Sequence, residues 1–109
     1  MQRARRTRIL AALLVVPAFW PASTHAAEVI KVEIAKLAFA PAEITAHVGD
    51  TVEWTNHDFI DHTATARSGE FDLTIARNKS AQTVLKRAGS IDYYCRFHPN
   101  MKGRIAVTP

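Results

Sequence analysis

Hydrophobic positions in this chain alternate with polar ones through a series of short segments, and no stretch of ten or more residues repeats at helical period. Ile30, Val32 and Ile34 alternate with Lys31, Glu33 and Ala35, which is the two-residue period of a strand. Glu43–Val48 is a second run, closed by the turn pair Gly49-Asp50. Thr51–Thr55 places Val52 and Trp54 on one face, and His62–Arg67, Ser80–Lys86 and Ser90–Cys95 read likewise. Gly103–Thr108 closes the chain with Ile105 and Val107 paired. Turn signals at Ser68-Gly69, Asn78 and Ala88-Gly89 separate the runs. Roughly seven to eight short strands in about 80 residues predict an all-β sandwich with Greek-key connections. There is no internal repeat, linker or low-complexity segment, so residues 27–109 are expected to form a single domain.

The first 26 residues follow a different rule. Met1–Arg8 is basic, Ile9–Trp20 is a continuous apolar run, and a small-residue stretch ends in Thr24-His25-Ala26-Ala27. That order predicts a secretory signal peptide over 1–26, cleaved after Ala26, with Thr24 and Ala26 at the small-residue positions. The apolar run falls short of the about 20 residues of a bilayer span. Pro17 interrupts it and Pro21 closes it, so no stable membrane insertion is expected after cleavage. The Arg5-Arg6 pair is similar to a twin-arginine signal, but Arg8 stands where such signals carry an apolar residue. The general secretory route is therefore expected.

Charge sharpens this division. The chain has 14 Lys+Arg, 10 Asp+Glu and a formal net charge of +4. Arg3, Arg5, Arg6 and Arg8 account for the whole excess, which leaves residues 27–109 formally neutral. Without a concentrated basic surface to neutralise phosphates, nucleic acid is excluded as a partner.

Export makes the cysteine count informative. Cys95 is the single cysteine, so no internal disulfide can form. Small exported domains need a staple, and here a metal is the obvious one. Residues 95–101 read Cys-Arg-Phe-His-Pro-Asn-Met and place a thiolate, an imidazole and a thioether at Cys95, His98 and Met101. They lie in the loop between the last two predicted strands, and His62 lies upstream after the turn that follows Thr51–Thr55. Two imidazoles, a thiolate and a thioether suit copper, because soft sulfurs hold Cu(I) and imidazoles hold either oxidation state. A nucleophilic Cys95/His98 pair is disfavoured by the lack of a third orienting group and by Met101. His57 has too little loop after Trp54 to turn inward, and His47 reads as a rim imidazole. Trp54, Phe71, Tyr93 and Tyr94 are expected in the core rather than as a platform for bases.

These residues resemble a known family, the cupredoxins or small blue copper proteins, and most closely its amicyanin and pseudoazurin group. The matching residues are Phe39-Ala40-Pro41, Val48 through Asn56, His62, Gly89 through Cys95, and His98-Pro99-x-Met101-x-Gly103. The resemblance implies that His62, Cys95 and His98 form a trigonal plane around one copper ion, with Met101 as the long axial ligand. It further implies a monomeric, periplasmic single-electron carrier that is not an enzyme. Its partners would be dehydrogenases, oxidases or cytochromes docking near His98, with Phe59, Ile60, Phe97 and Pro99 as an apolar patch. Arg96 and Lys102 would add positive charge there, and Asp58 and Asp61 negative charge. Two departures stand out: Thr63 follows the first ligand where the family usually has Asn, and Asp61 precedes it where amicyanin has Pro. Two other functions stay open at this point, periplasmic copper handling as a chaperone or scavenger, and a zinc-binding or metal-free structural domain.

Overall fold

The computed structural model describes residues 2–19 and 25–109. Residues 2–19 form no helix or strand, and their apolar side chains from Ile9 to Phe19 stand open to solvent. Trp20, Pro21 and Thr24, which carry part of the export reading, lie outside the described residues. No helix among the described residues is long and apolar enough to cross a membrane.

Nine strands follow: β1 Val29–Ala35, β2 Ala38–Ala40, β3 Glu43–His47, β4 Thr51–Asn56, β5 His62–Ala66, β6 Asp72–Ile75, β7 Ser80–Val84, β8 Gly89–Tyr94 and β9 Lys102–Thr108. They form a four-stranded sheet in the order β2-β1-β4-β7 and a five-stranded sheet in the order β3-β9-β8-β5-β6. The architecture is an all-β sandwich. Alternation decides which residues meet inside it. Val32 and Ile34 of β1, Val52 and Trp54 of β4, and Ile105 and Val107 of β9 all turn inward and are buried. Two pairings are parallel, β1 with β4 (Val32 opposite Trp54) and β3 with β9 (Ile44 opposite Ile105).

Two strands exceed the seven runs visible as alternation. Strand β2 is three residues long, too short to show a period, and it folds back on β1 through Lys36 and Leu37. Both turn residues have positive φ, 53° and 59°, in a left-handed region that Asn and Gly occupy far more readily. Without an Asn-Gly signal the hairpin is invisible in the sequence. Strand β6 is a four-residue edge strand, Asp-Leu-Thr-Ile, with only Ile75 fully buried. Tyr94 also differs from expectation. It lies on the outer face of the five-stranded sheet under the Arg67 guanidinium, 4.4 Å from the ring centre. Its neighbours Tyr93 and Cys95 take the inward positions of the alternation.

The core is built around Trp54 and Tyr93, which meet edge to face at 5.4 Å between ring centres. Phe39 packs on Tyr93 at 4.8 Å and Phe71 on Trp54 at 5.4 Å. Burial pushes the Tyr93 phenol up to about 12, so the ring stays neutral. Gly103 sits opposite Tyr93 in the ladder between β8 and β9. A methyl group built on Gly103 would come within 2.2 Å of the Tyr93 ring. Glycine is required there by close approach, since the ring crosses the strand where a side chain would stand. Gly103→Ala should therefore cost about 3 kcal/mol of stability through overpacking. Denaturant unfolding of the apo protein checks this, and a loss below about 1 kcal/mol would mean that the ring moves aside freely.

Candidate metal centre

One end of the sandwich gathers the residues singled out by the sequence. His62 opens β5 and Cys95 directly follows β8, and these strands are neighbours in the five-stranded sheet. The loop from Cys95 to Met101 is wound by its own backbone. His98 N–H donates to Cys95 O at 3.2 Å, Met101 N–H to His98 O at 2.8 Å, and Cys95 N–H to Met101 O at 3.0 Å. The three side-chain-bearing positions are thus tied to one another through their main chains. His62 and Cys95 are fully buried, Met101 is buried, and His98 is half-buried.

Cys95 Sγ lies 3.7 Å from His62 Nδ1 and 3.8 Å from His98 Nδ1. The two imidazole rings stand 5.2 Å apart at 60°. Ligands that share an ion through bonds of about 2.0 Å to nitrogen and about 2.3 Å to sulfur are separated by such distances when the angle between them is near 120°. The side chains therefore present a trigonal donor plane. A soft thiolate with two imidazoles and a thioether nearby is a donor set for copper, in contrast to the all-oxygen sets of magnesium or calcium. Thr63 N–H points at Cys95 Sγ from 3.3 Å.

A carboxylate not singled out as a structural group holds His62 in place. Asp58 accepts the N–H of His62 Nε2 at 2.8 Å, which leaves the Nδ1 lone pair directed towards Cys95. The same carboxylate accepts the backbone N–H groups of Lys36 at 2.8 Å and Leu37 at 3.1 Å. It thereby holds the left-handed β1–β2 turn. Burial raises the Asp58 pKa, but the bonds from Leu37, His62 and Lys36 outweigh it and hold the carboxyl below the usual carboxylate range. Asn56, also buried, fixes the approach to His62. Its amide donates to Ile60 O and Ile75 O, and its Oδ1 accepts Asp58 N–H. The available signal in the sequence was the position of Asp58 four residues before His62. Asp58 was expected as surface charge, whereas it is occupied internally; Asp61 accepts Arg77 N–H.

The remaining histidines lie outside this cluster. His57 is exposed and pairs with Glu33. His47 sits half-buried at a rim, stacked on His25 at 3.8 Å, and both rings lie near the Asp50 carboxylate. The N–H groups of Glu28 and His47 keep Asp50 below its ordinary pKa. Phe59, Ile60 and Phe97 stand exposed, and so does Leu37 on the turn held by Asp58. A groove of about 430 Å³ lies on the outer face of the five-stranded sheet between Glu43, Arg67, Asp92 and Lys102, and it contains none of the four candidate ligands.

Fold and donor plane together define a cupredoxin. The family model described as a cupredoxin-like domain matches residues 8–107, and the chain belongs to that family, the type 1 copper electron-transfer proteins. Copper is the cofactor that this membership carries, and the donor set fits it. Within the family the chain is similar to the amicyanins. It is 35% identical to amicyanin-alpha of Methylorubrum extorquens over 71% of this chain and 70% of that one. It is 34% identical to amicyanin of Paracoccus denitrificans over 72% of this chain and 64% of that one, so it spans slightly less than two thirds of the latter. Among solved structures, a reduced proline-to-phenylalanine variant of amicyanin matches at 33% identity with a TM-score of 0.64, over 72% of this chain and 81% of that one. The Cu(I) form of a methionine-to-alanine variant matches at 30% identity with a TM-score of 0.65 over the same shares.

Removing the Asp58 carboxylate should loosen both of the elements it holds. Asp58→Ala leaves a buried imidazole N–H without its acceptor, at a cost of about 1–3 kcal/mol. Unfolding of the apo protein measures it, and an unchanged midpoint would show that His62 is held by packing alone.

Proposed function

We propose that this chain is an exported single-electron carrier in which His62, Cys95, His98 and Met101 would hold one copper ion. The observation that carries the reading is the burial of the Cys95 sulfur between two imidazole nitrogens, at 3.7 and 3.8 Å, one of them on the half-exposed His98. Bound copper supplies one-electron exchange between Cu(II) and Cu(I). The chain's own residues do the rest. Asp58 holds the His62 tautomer, the wound loop fixes Cys95, His98 and Met101, and the aromatic core keeps water from the buried side.

Four protein donors would leave no position for a substrate, which favours a carrier over an enzyme. Sites that hand over copper are exposed and rich in Met and His, whereas Cys95 and His62 are fully buried and Met101 is the one methionine outside the leader. Electrons would pass through His98, whose ring approaches the surface among Phe59, Ile60, Phe97 and Pro99. An exposed apolar surface of this kind beside a redox centre fits a transient partner such as a dehydrogenase, oxidase or cytochrome. Residues 1–26 would direct the chain to the periplasm and be removed near Ala26, leaving 27–109 as a monomeric domain.

The thiolate supplies the decisive test. A Cu(II)–thiolate bond gives an intense visible band, so the copper-loaded chain should be strongly coloured and Cys95→Ser should lose that colour. Retained strong visible absorption in Cys95→Ser would falsify the assignment. The Met101 thioether has its own signature. A thioether favours Cu(I), so Met101→Gln should remain coloured and show a lower reduction potential. An unchanged or higher potential on redox titration removes Met101 from the ligand set.

A further inference from the structure

Thr63 directly follows His62 where the resemblance implies an asparagine, and a single hydroxyl offers fewer bonds than an amide. The structure makes up the difference with a closed ring of hydrogen bonds on the outer face of the five-stranded sheet. Arg96 N–H donates to Thr63 Oγ1 at 2.8 Å. Thr63 and Thr65 hydroxyls meet at 2.9 Å, and Thr65 donates to Asp72 at 2.7 Å. Arg96 Nε returns to the same Asp72 oxygen at 3.0 Å, so the ring ends on the residue where it began.

Its proton order is determined. The ionised Asp72 carboxylate only accepts, so Thr65 must donate to it; Thr65 has one proton, so Thr63 must donate to Thr65. Thr63 then accepts from Arg96, and every hydroxyl proton has a single place. The strands dictate this placement. Thr63 and Thr65 alternate with His62 and Ala64 and so share the outer face, and Asp72 lies directly opposite Thr65 in the β5–β6 ladder. Both threonines are buried, and their branched side chains have few conformations to choose from.

Thr63 thus grips Cys95 from two sides. Its N–H reaches the thiolate at 3.3 Å, while its hydroxyl fixes the N–H of the next residue, Arg96. A hydrogen bond to a coordinating thiolate withdraws charge from it and is stronger when the metal is reduced, because the sulfur then carries more negative charge. We propose that the ring of Arg96, Thr63, Thr65 and Asp72 is a positioning device that holds the Cys95 thiolate on the Thr63 N–H and thereby favours Cu(I). This rests on the copper-ligand role proposed for Cys95.

Thr65→Val keeps the shape and removes the link, whereas Thr65→Ser keeps the link. In copper-loaded protein, Thr65→Val should shift the one-electron equilibrium roughly three- to tenfold towards Cu(II), tenfold being about 59 mV. It should also speed amide exchange at Arg96 in the Cu(I) form. Thr65→Ser should stay within about twofold of the parent on both measures. A folded, coloured Thr65→Val protein with an unchanged or raised potential overturns the proposal, as does a Thr65→Ser protein that shifts as far as Thr65→Val. Should Thr65→Val fail to fold, Asp72→Ala on the exposed rim opens the same ring. Loss of the negative charge alone would raise the potential, whereas the ring requires it to fall; a rise or no change overturns the proposal. If the parent chain shows no coloured copper form, the copper reading fails, and that result is distinct from a failure of the ring.

Discussion

A cysteine sulfur and two imidazole nitrogens, at 3.7 and 3.8 Å from it, have to be kept together by the structure around them. Nothing in such a cluster is self-adhesive in the way an apolar core is, since each group would be better solvated in water. The surrounding structure is arranged to withhold that alternative. Adjacent strands β5 and β8 deliver His62 and Cys95 side by side. The Cys95–Met101 loop closes on its own backbone, and Asp58 takes the outer nitrogen of His62.

Asp58 also joins the two sheets functionally. Its carboxylate holds the Lys36-Leu37 turn of one sheet and the His62 ring of the other. The left-handed conformation of that turn is thus stabilised by the group that orients the His62 imidazole. Strain in the hairpin and order at the site are consequences of a single interaction. The exposed Leu37 side chain is presented by this turn.

Much of this was legible in the sequence, for reasons that can be named. Strands with a clean two-residue period, such as Ile30-Val32-Ile34 and Ile105-Val107, declared themselves because one face is buried and the other wet. The Cys-x2-His-x2-Met spacing placed three candidate residues in one loop, and the structure brings His62 to them. Strand β2 was not legible because three residues carry no period and its turn lacks glycine. The direction of Tyr94 was hidden by an aromatic pair, where only the register chooses which ring is buried. Asp58 and the Thr63–Thr65–Asp72 chain were hidden for a different reason: Lys36, Leu37 and Arg96, which bond to them, are distant in sequence and meet them only when the strands pair. Hydrogen-bonded support of a site leaves little local pattern, whereas its ligands leave a spacing.

The parallel pairing of β3 with β9 sets an order of events. Glu43–His47 has no other neighbour in its sheet, and β9 lies between it and β8, so the five-stranded sheet closes only when Lys102–Thr108 is present. A chain that emerges with its N-terminus first presents His62 well before Cys95, and the loop that ties Cys95 to Met101 closes only at the start of the last strand. Pairings so distant in sequence are slow to form, and they cannot be anticipated by a partial chain. The donor plane is therefore a late product of folding.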